Sequence, residues 1–253
     1  MIKKSDYHMK KRKELKILLM QIRDDEVTRK QEFDEFVRYG KLDPNQITVL
    51  DVFKTPFFDV QIIDEYDALF VGGSSDASVR LPEVYIFVES CKKLIKYCYD
   101  NNVPTLASCF GFQLAVEALG KKIILDAEAM EMGTYDIILN DAAKTDKLFS
   151  GINDSFMAVS GHKERALELP DNAILLASST LCPYHAFTFK NKPFYAFQFH
   201  PEVDKDDLIA RITRYKDRYL DGDGHLQKII DSCQETPQSN QLIENFIDNI
   251  ILK

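Results

Sequence analysis

Four short, nearly continuous apolar runs occupy the first half of the chain. Each has the length of a strand, and continuous apolar character is typical of strands buried on both faces of a sheet. The runs are Leu15–Met20, Ile47–Val52, Asp67–Gly73 and Val103–Ser108. Helical spacing of apolar residues marks Asp24–Arg38, a segment opened by Pro82, and Phe110–Leu119. The alternation predicts an α/β fold with a mostly parallel central sheet flanked by helices.

The second half of the chain has a different pattern. Short apolar runs follow one another there, at Thr134–Leu139, Phe156–Ser160, Ala173–Ala177, Ala186–Phe189 and Phe194–Phe199. Residues 191–193, Asn-Lys-Pro, separate the last two runs and predict a hairpin turn. Helical spacing returns from Asp206 and ends in an amphipathic closing helix. We therefore predict a basic arm at 1–14, one α/β domain at 15–205, and a helical C-terminal extension at 206–253 packed on that domain.

Composition narrows the class of protein. The chain has 253 residues, is 45% apolar and 28% charged, and carries a formal net charge of −8. This balance excludes a disordered chain and argues against a nucleic-acid partner, which needs a basic face. Membrane association is not expected, because no apolar run approaches the roughly 18 residues of a membrane span. The basic N-terminus lacks the apolar stretch of a secretory signal, and five cysteines in no framework spacing favour a reducing, cytoplasmic setting.

Cys109 is the candidate nucleophile. It directly follows a predicted strand and opens a predicted helix, so the sequence predicts a nucleophile elbow at the carboxyl edge of the sheet. Small neighbours such as Ala107 and Gly111 permit the sharp turn. A helix N-terminus also favours the thiolate form of a cysteine. The alternative is a buried structural cysteine, an interpretation that suits Cys91 and Cys98, seven residues apart on one helix face.

His200 and Glu202 follow the last predicted strand, in the segment Gln-Phe-His-Pro-Glu. A thiol nucleophile needs a base, and the base needs a group that orients it. His200 could take the proton of Cys109 and later protonate a leaving amine, while Glu202 could fix the imidazole tautomer. A purely structural role for this loop is the alternative.

These segments resemble the class I glutamine amidotransferases. The resemblance rests on Pro104–Gln113 and on Phe197–Val203, and it extends in order and spacing from about Leu15 to Val203. It implies a stand-alone domain of that family with a triad of Cys109, His200 and Glu202. It also implies a γ-glutamyl thioester on Cys109.

The same resemblance implies binding positions. Gly73 and Phe110 would supply the backbone N–H groups of an oxyanion hole. Gln113 matches a position that contacts bound glutamine, and Gly161 with His162 matches a loop that meets its α-amino and α-carboxylate groups through the backbone. Taken singly, each has a plainer interpretation: a turn after a strand at Gly73, an ordinary helix glutamine at Gln113, and a solvated loop residue at His162.

Three departures from the family pattern border the expected glutamine pocket. Ala107 and Ser108 replace a glycine and an aliphatic residue before the cysteine, and residues 74–76, Ser-Ser-Asp, replace a proline-containing loop. Lys163 replaces a glycine after the loop histidine. These changes leave the thiol chemistry intact, but they open the question of whether the substrate is glutamine itself. We put forward the hypothesis that Lys163 and Asp76 recognise a substrate group attached beyond the γ-carbonyl.

The sequence predicts neither a metal site nor a cofactor. Cys182 and His185 have ligand chemistry, but two ligands without a second pair favour structural packing. No phosphate-binding loop of the Walker type and no dinucleotide fingerprint occur in the sequence.

Three functions compete. The first is a hydrolase that cleaves glutamine or another γ-glutamyl compound, a small-molecule substrate. The second is a glutaminase subunit that delivers ammonia to a separate synthetase, because only 50 residues follow Val203 in this sequence. The third is a catalytically silent ligand-binding or regulatory protein on the same scaffold.

Overall fold

A nine-stranded sheet forms the centre of the fold, which the computed structural model describes for residues 10–215 and 223–253. A two-stranded sheet lies beside it. In chain order the strands are β1 (Ile17–Gln21), β2 (Ile47–Asp51), β3 (Ala68–Val71), β4 (Thr105–Ser108), β5 (Ile123–Leu125), β6 (Glu131–Leu139), β7 (Ser155–His162), β8 (Glu164–Ala166), β9 (Ala173–Ser178), β10 (Ala186–Phe189) and β11 (Phe194–Phe197).

Helices cover both faces of the large sheet. They are α1 (Glu26–Gly40), α2 (Val88–Asn101), α3 (Phe110–Ala118), α4 (Lys205–Arg214), α5 (Asp223–Ser232) and α6 (Pro237–Phe246), which a π-helical segment, Ile247–Ile251, continues. Asp25 caps α1 by accepting a hydrogen bond from the Thr28 N–H at 2.8 Å. Such caps satisfy backbone N–H groups that a helix start leaves open.

The strand order of the large sheet is β2-β1-β3-β4-β11-β10-β9-β6-β7. The first five strands in this order pair in parallel, and the remaining four extend the sheet by antiparallel pairing. The predicted α/β class with a central, mostly parallel sheet flanked by helices is confirmed. The predicted turn at residues 191–193 joins the antiparallel neighbours β10 and β11.

Alternate residues of β1 separate the core into two layers. Leu18 and Met20 face a cluster that includes α2 and α3, whereas Ile17 and Leu19 face a cluster that includes α1 and α6. All four side chains are almost completely buried. This two-sided burial explains why the strand is a continuous apolar run in the sequence.

Two local features differ from the sequence-based expectation. The second helix begins at Val88 and not near Pro82, because the turns that precede it leave Val84 and Ile86 on the surface, 61% and 51% exposed. The small sheet of β5 and β8 was not predicted, since its strands are only three residues long. It pairs Glu164 with Leu125, so the segment that follows β7 lies against β5.

Both ends of the described chain contact the domain. Arg12 donates to Asp248 at 2.5 Å, and it also bonds the Gly40 carbonyl oxygen. Leu242 and Phe246 of α6 belong to the core cluster that contains Phe70. The division of the chain at residues 14/15 and 205/206 stays a prediction.

Among the described helices, none combines the length and the apolar character that crossing a membrane requires.

Candidate active site

Cys109 lies at the turn between β4 and α3. Its backbone has φ 49° and ψ −99°, a conformation that costs a non-glycine residue about 1–3 kcal/mol. The Cys109 N–H donates to the Phe197 carbonyl at 2.7 Å, which ties the turn to β11. An added Cβ on Gly111 would lie 2.9 Å from the Val71 side chain, so glycine lets α3 approach β3 closely. The elbow predicted at Cys109 is present.

His200 and Glu202 stand beside this elbow, just beyond the end of β11. His200 Nδ1 lies 2.7 Å from Glu202 Oε1, and both the His200 ring and the Cys109 side chain border Gly73. The His200 backbone N–H donates to the Val159 carbonyl at 2.8 Å, which fixes the residue against β7. The structure therefore brings together all three residues of the predicted triad.

The triad histidine is held in its charged form. Burial alone would lower the pKa of His200, but the negative charges of Cys109 and Glu202 outweigh burial and raise the pKa to about 10. Burial would raise the pKa of Glu202, whereas the charge and the hydrogen bond of His200 lower it below its usual value. The arrangement favours an imidazolium at His200 bonded to the carboxylate of Glu202.

Gly73 packs directly against the triad. A Cβ at this position would lie 2.6 Å from His200 Cε1, 2.9 Å from Arg23 Nη2 and 3.5 Å from Cys109 Cβ. Only a glycine backbone fits there. Phe110 is the first residue of α3 and directly follows Cys109. Both predicted oxyanion residues thus adjoin the nucleophile.

A cavity of about 340 Å³ opens over Cys109. It is lined by residues 74–78, by the start of α3 and by the segment that follows β7, including Gln113, Gly161, His162 and Lys163. The Gln113 amide nitrogen donates to the Glu164 carbonyl oxygen at 3.1 Å, and so links α3 to this segment. Every predicted substrate-binding residue lines the cavity.

Buried charges lie behind the triad. Arg23 Nε donates to Glu32 Oε1 of α1 at 2.9 Å, and Arg211 Nη2 of α4 lies 2.7 Å from Glu35 Oε1. Burial raises the pKa of Glu35 to about 8, although Arg211 opposes it. Arg23 Nη1 bonds the Ser75 hydroxyl at 3.0 Å and Nη2 adjoins Gly73. Sequence reasoning did not identify Arg23, because no motif surrounds it.

The side chain of His162 lies in the protein interior, so the interpretation of this residue as a solvated loop residue is wrong. The ring is buried, and its Nε2 lies 3.2 Å from Glu131 Oε2. Antiparallel pairing places Glu131 and His162 opposite each other on β6 and β7. His185 Nε2 lies 2.9 Å from the same carboxylate, and the Cys182 sulfur lies within 4.8 Å of both histidines. Sequence reasoning missed Glu131, whose only signal is its position at a strand end.

The fold and the site together define a cysteine-dependent amidotransferase domain. A family model described as glutamine amidotransferase class-I matches residues 42–214. The chain belongs to this family, which confirms the resemblance found in the sequence.

Several curated relatives of the chain are GMP synthases. The chain is 29% identical over 149 residues to one subunit of the glutamine-hydrolyzing GMP synthase of Pyrococcus abyssi, covering 59% of this chain and 72% of that protein. It is 29% identical over 160 residues to the glutamine-hydrolyzing GMP synthase of Shewanella amazonensis. The match covers 61% of this chain but only 29% of that longer protein.

A solved structure shares the fold. The crystal structure of a glutamine amidotransferase from Thermotoga maritima superposes with a TM-score of 0.76 at 18% sequence identity. The superposition covers 94% of this chain and 98% of that one.

Proposed function

We propose that this amidotransferase hydrolyses the γ-amide of glutamine or of a γ-glutamyl compound through a thioester on Cys109. The observation that carries the proposal is the grouping of three residues: Cys109 at a strained elbow, the His200 ring beside it across Gly73, and Glu202 bonded to Nδ1 of that ring. No separate base or metal is needed for this chemistry.

The reaction begins with attack of the Cys109 sulfur on the γ-carbonyl carbon. A C–S bond forms, and the carbonyl oxygen takes the negative charge. The backbone N–H groups of Gly73 and Phe110 stabilise this oxyanion, and one such donor is typically worth about 10²–10³ in rate. The intermediate collapses, the C–N bond breaks, and the His200 imidazolium gives its proton to the departing ammonia.

Water completes the cycle. Neutral His200 takes a proton from a water molecule, and the hydroxide attacks the thioester carbon. The C–S bond breaks, glutamate leaves, and the proton on His200 again balances the charge of the Cys109 sulfur. Glu202 keeps the imidazole oriented through both halves, because its bond to Nδ1 leaves Nε2 for the reacting atoms.

The cavity supports recognition of the amino-acid end of the substrate by Gly161 and His162 through their backbones, and by Gln113. Lys163 and Asp76 stand at its border, where they can contact a group beyond the γ-carbonyl. A volume of about 340 Å³ leaves room for more than the glutamine side chain. We therefore keep glutamine and larger γ-glutamyl compounds as the substrate class.

A synthetase in trans is the second part of the proposal. The Pyrococcus abyssi relative is named as one subunit of a glutamine-hydrolyzing synthase, and the match covers 72% of that protein. The match spans only 29% of the longer Shewanella amazonensis relative. These names support delivery of ammonia from Cys109 to a separate polypeptide, with hydrolysis of free glutamine as the reaction of the chain alone.

Glutamate release by purified protein tests the proposal. Glutamine and a panel of γ-glutamyl amines are offered to the wild type and to Cys109→Ser, with Cys98→Ser as a matched control for loss of a thiol. We expect turnover that falls about 10³-fold or more in Cys109→Ser and persists in Cys98→Ser. Ligand binding without any turnover, with or without a synthetase, would instead favour the silent binding protein.

A further inference from the structure

A second group of buried ligand-type side chains lies beside the glutamine pocket, outside the triad. The ligand atoms of His162, Cys182 and His185 lie within 4.8 Å of one another. Glu131 adjoins them, with its Oε2 3.2 Å from His162 Nε2 and 2.9 Å from His185 Nε2. Glu131, Cys182 and His185 are fully buried and His162 is 6% exposed.

Three chain segments supply this group. Glu131 starts β6 and His162 ends β7, directly across the ladder from each other. Cys182 and His185 come from the loop between β9 and β10, three residues apart. Two ligands at such a spacing in a loop, combined with two from elsewhere in the chain, are typical of four-ligand zinc sites.

His185 lacks a hydrogen-bond partner. Its Nε2 is close to Glu131 Oε2, yet the direction of an N–H bond from this atom does not meet the carboxylate. Neither ring nitrogen has a hydrogen-bond partner among the described residues, although the side chain is completely buried. An unpaired buried polar group costs about 1–3 kcal/mol, so a partner bound to either ring nitrogen of His185 would be stabilising.

The charges of the group also leave room for a cation. Hydrogen bonds from the hydroxyls of Ser160 and Ser179, at 2.7 and 2.5 Å, hold Glu131 as a carboxylate. The Glu131 carboxylate gives the buried group a negative charge. A divalent cation with a Cys182 thiolate would make it neutral, and buried ions are favourable only when they are balanced.

We propose that Glu131, His162, Cys182 and His185 bind a Zn²⁺ ion. Nitrogen, sulfur and oxygen ligands in this combination suit zinc better than magnesium or calcium. Tetrahedral zinc places such ligand atoms roughly 3.3–3.6 Å apart. The ligand atoms of His162, Cys182 and His185, now within 4.8 Å of one another, would therefore close by up to about 1 Å around the ion. The distances of 3.2 and 2.9 Å between Glu131 and the two histidines would open slightly. On binding, the Cys182 S–H bond breaks, an S–Zn bond forms, and the proton goes to water.

The ion would have a positioning role. His162 lies between Gly161 and Lys163 in the segment that lines the glutamine pocket. A metal on its side chain leaves its backbone facing the cavity and fixes the segment in place. The proposal replaces the packing role expected for Cys182 and His185, and it does not depend on the proposed reaction of Cys109.

Metal content is the direct test. Untagged protein from zinc-supplemented cells is passed over a desalting column and analysed by plasma mass spectrometry. We expect about one zinc per chain in the wild type and at least about tenfold less in Cys182→Ser and in His185→Gln. Two matched controls, Cys109→Ser and Cys233→Ser, should keep the metal; the first separates this site from the Cys109–His200 pair.

Cobalt substitution tests directly whether Cys182 is a ligand of the metal. Apo protein titrated with Co²⁺ should show a sulfur-to-metal absorption band in the wild type and in Cys109→Ser, but not in Cys182→Ser. Chelator should lower the melting temperature of the wild type and leave that of His185→Gln unchanged. Sub-stoichiometric zinc in the wild type without a cobalt–sulfur band, or equal zinc in folded Cys182→Ser, would overturn the proposal.

Discussion

Cys109 has a φ of 49°, a backbone conformation that residues other than glycine rarely adopt. Such strain costs about 1–3 kcal/mol, and it persists because the surroundings fix the turn. The Phe197 carbonyl accepts the Cys109 N–H on one side, and Gly111 lets α3 pack on Val71 on the other. At this turn Cys109 lines the cavity, and the bonded pair of His200 and Glu202 lies beside it.

Replacement of Gly73 by alanine tests the oxyanion assignment. The new Cβ would lie 2.6 Å from His200 Cε1, so either the ring or the loop must move. We expect kcat for glutamine hydrolysis to fall about 10²–10³-fold, the effect of losing one oxyanion donor. Ser74→Ala, one residue further along the loop, should lose less than about tenfold. Equal activity of Gly73→Ala and wild type in steady-state kinetics would contradict the assignment.

The pH dependence of the reaction reports on Glu202. His200 must be protonated to release ammonia, and its raised pKa of about 10 keeps it so across the neutral range. We expect the basic limb of kcat/KM near that value in the wild type. Glu202→Gln removes a negative charge that raises the pKa of His200, so the limb should move down by about one pH unit or more. A basic limb at the same pH in Glu202→Gln and wild type would show that Glu202 does not raise the pKa of His200.

At the scale of elements, α1 and α4 are joined by a buried ion pair. Arg211 donates to both oxygens of Glu35, at 2.7 and 2.9 Å, close behind the triad. Burial nevertheless raises the pKa of Glu35 to about 8, which shows how much desolvation opposes the pair. Such pairs contribute little net stability when whole and cost much when one partner is lost.

We expect Arg211→Leu to lower the free energy of unfolding by about 3–5 kcal/mol, because it leaves Glu35 buried without its cation. The double variant Arg211→Leu with Glu35→Leu should recover part of this loss. Lys30→Ala removes an exposed pair on the same helix and should change stability by less than about 0.5 kcal/mol. Urea titrations at pH 9, where Glu35 is charged, make the comparison, and a loss in Arg211→Leu as small as in Lys30→Ala would be the contrary result.

Whether a strand or helix could be predicted from the sequence depended on how its apolar residues are buried. Strands β1, β3 and β4 were predicted because burial on both faces makes them continuous apolar runs. The edge strand β2 was predicted from a similar run, although Thr48 and Val49 are exposed. The start of α2 was not, since Val84 lies at helical spacing from Phe87 and Val88 although it is 61% exposed on the surface. The three-residue strands β5 and β8 carry too few residues for a period to be visible.

Across the whole molecule, the site depends on segments far apart in the sequence. Cys109, His200 and Glu202 could be predicted as site residues because short motifs surround them. Arg23 and Glu131 could not, because a single charged residue at the end of a strand or just after it forms no motif. Their roles follow only from the sheet order, which sets β1 near β3 and pairs β6 with β7. The cytoplasmic setting stays a prediction.

Helix α6 is part of the core and not an appendage. Phe246 is fully buried, with its ring centroid 5.9 Å from that of Phe70 and 6.0 Å from that of Tyr195. We expect Phe246→Ala to cost about 3–5 kcal/mol of unfolding free energy, against a smaller loss for the half-buried Leu252→Ala. Thermal and urea unfolding measure both. A loss in Phe246→Ala no larger than in Leu252→Ala would mean that α6 contributes little to the core.

The central claim is that Cys109 becomes acylated during turnover. The most direct measurement mixes the enzyme with glutamine, quenches in acid within the first turnovers, and maps the peptide that carries Cys109 by mass spectrometry. The account predicts a γ-glutamyl group on Cys109 that is absent from Cys109→Ser and disappears once glutamine is exhausted. Glutamate formation from glutamine with no label on Cys109, or equal formation by Cys109→Ser, would contradict it.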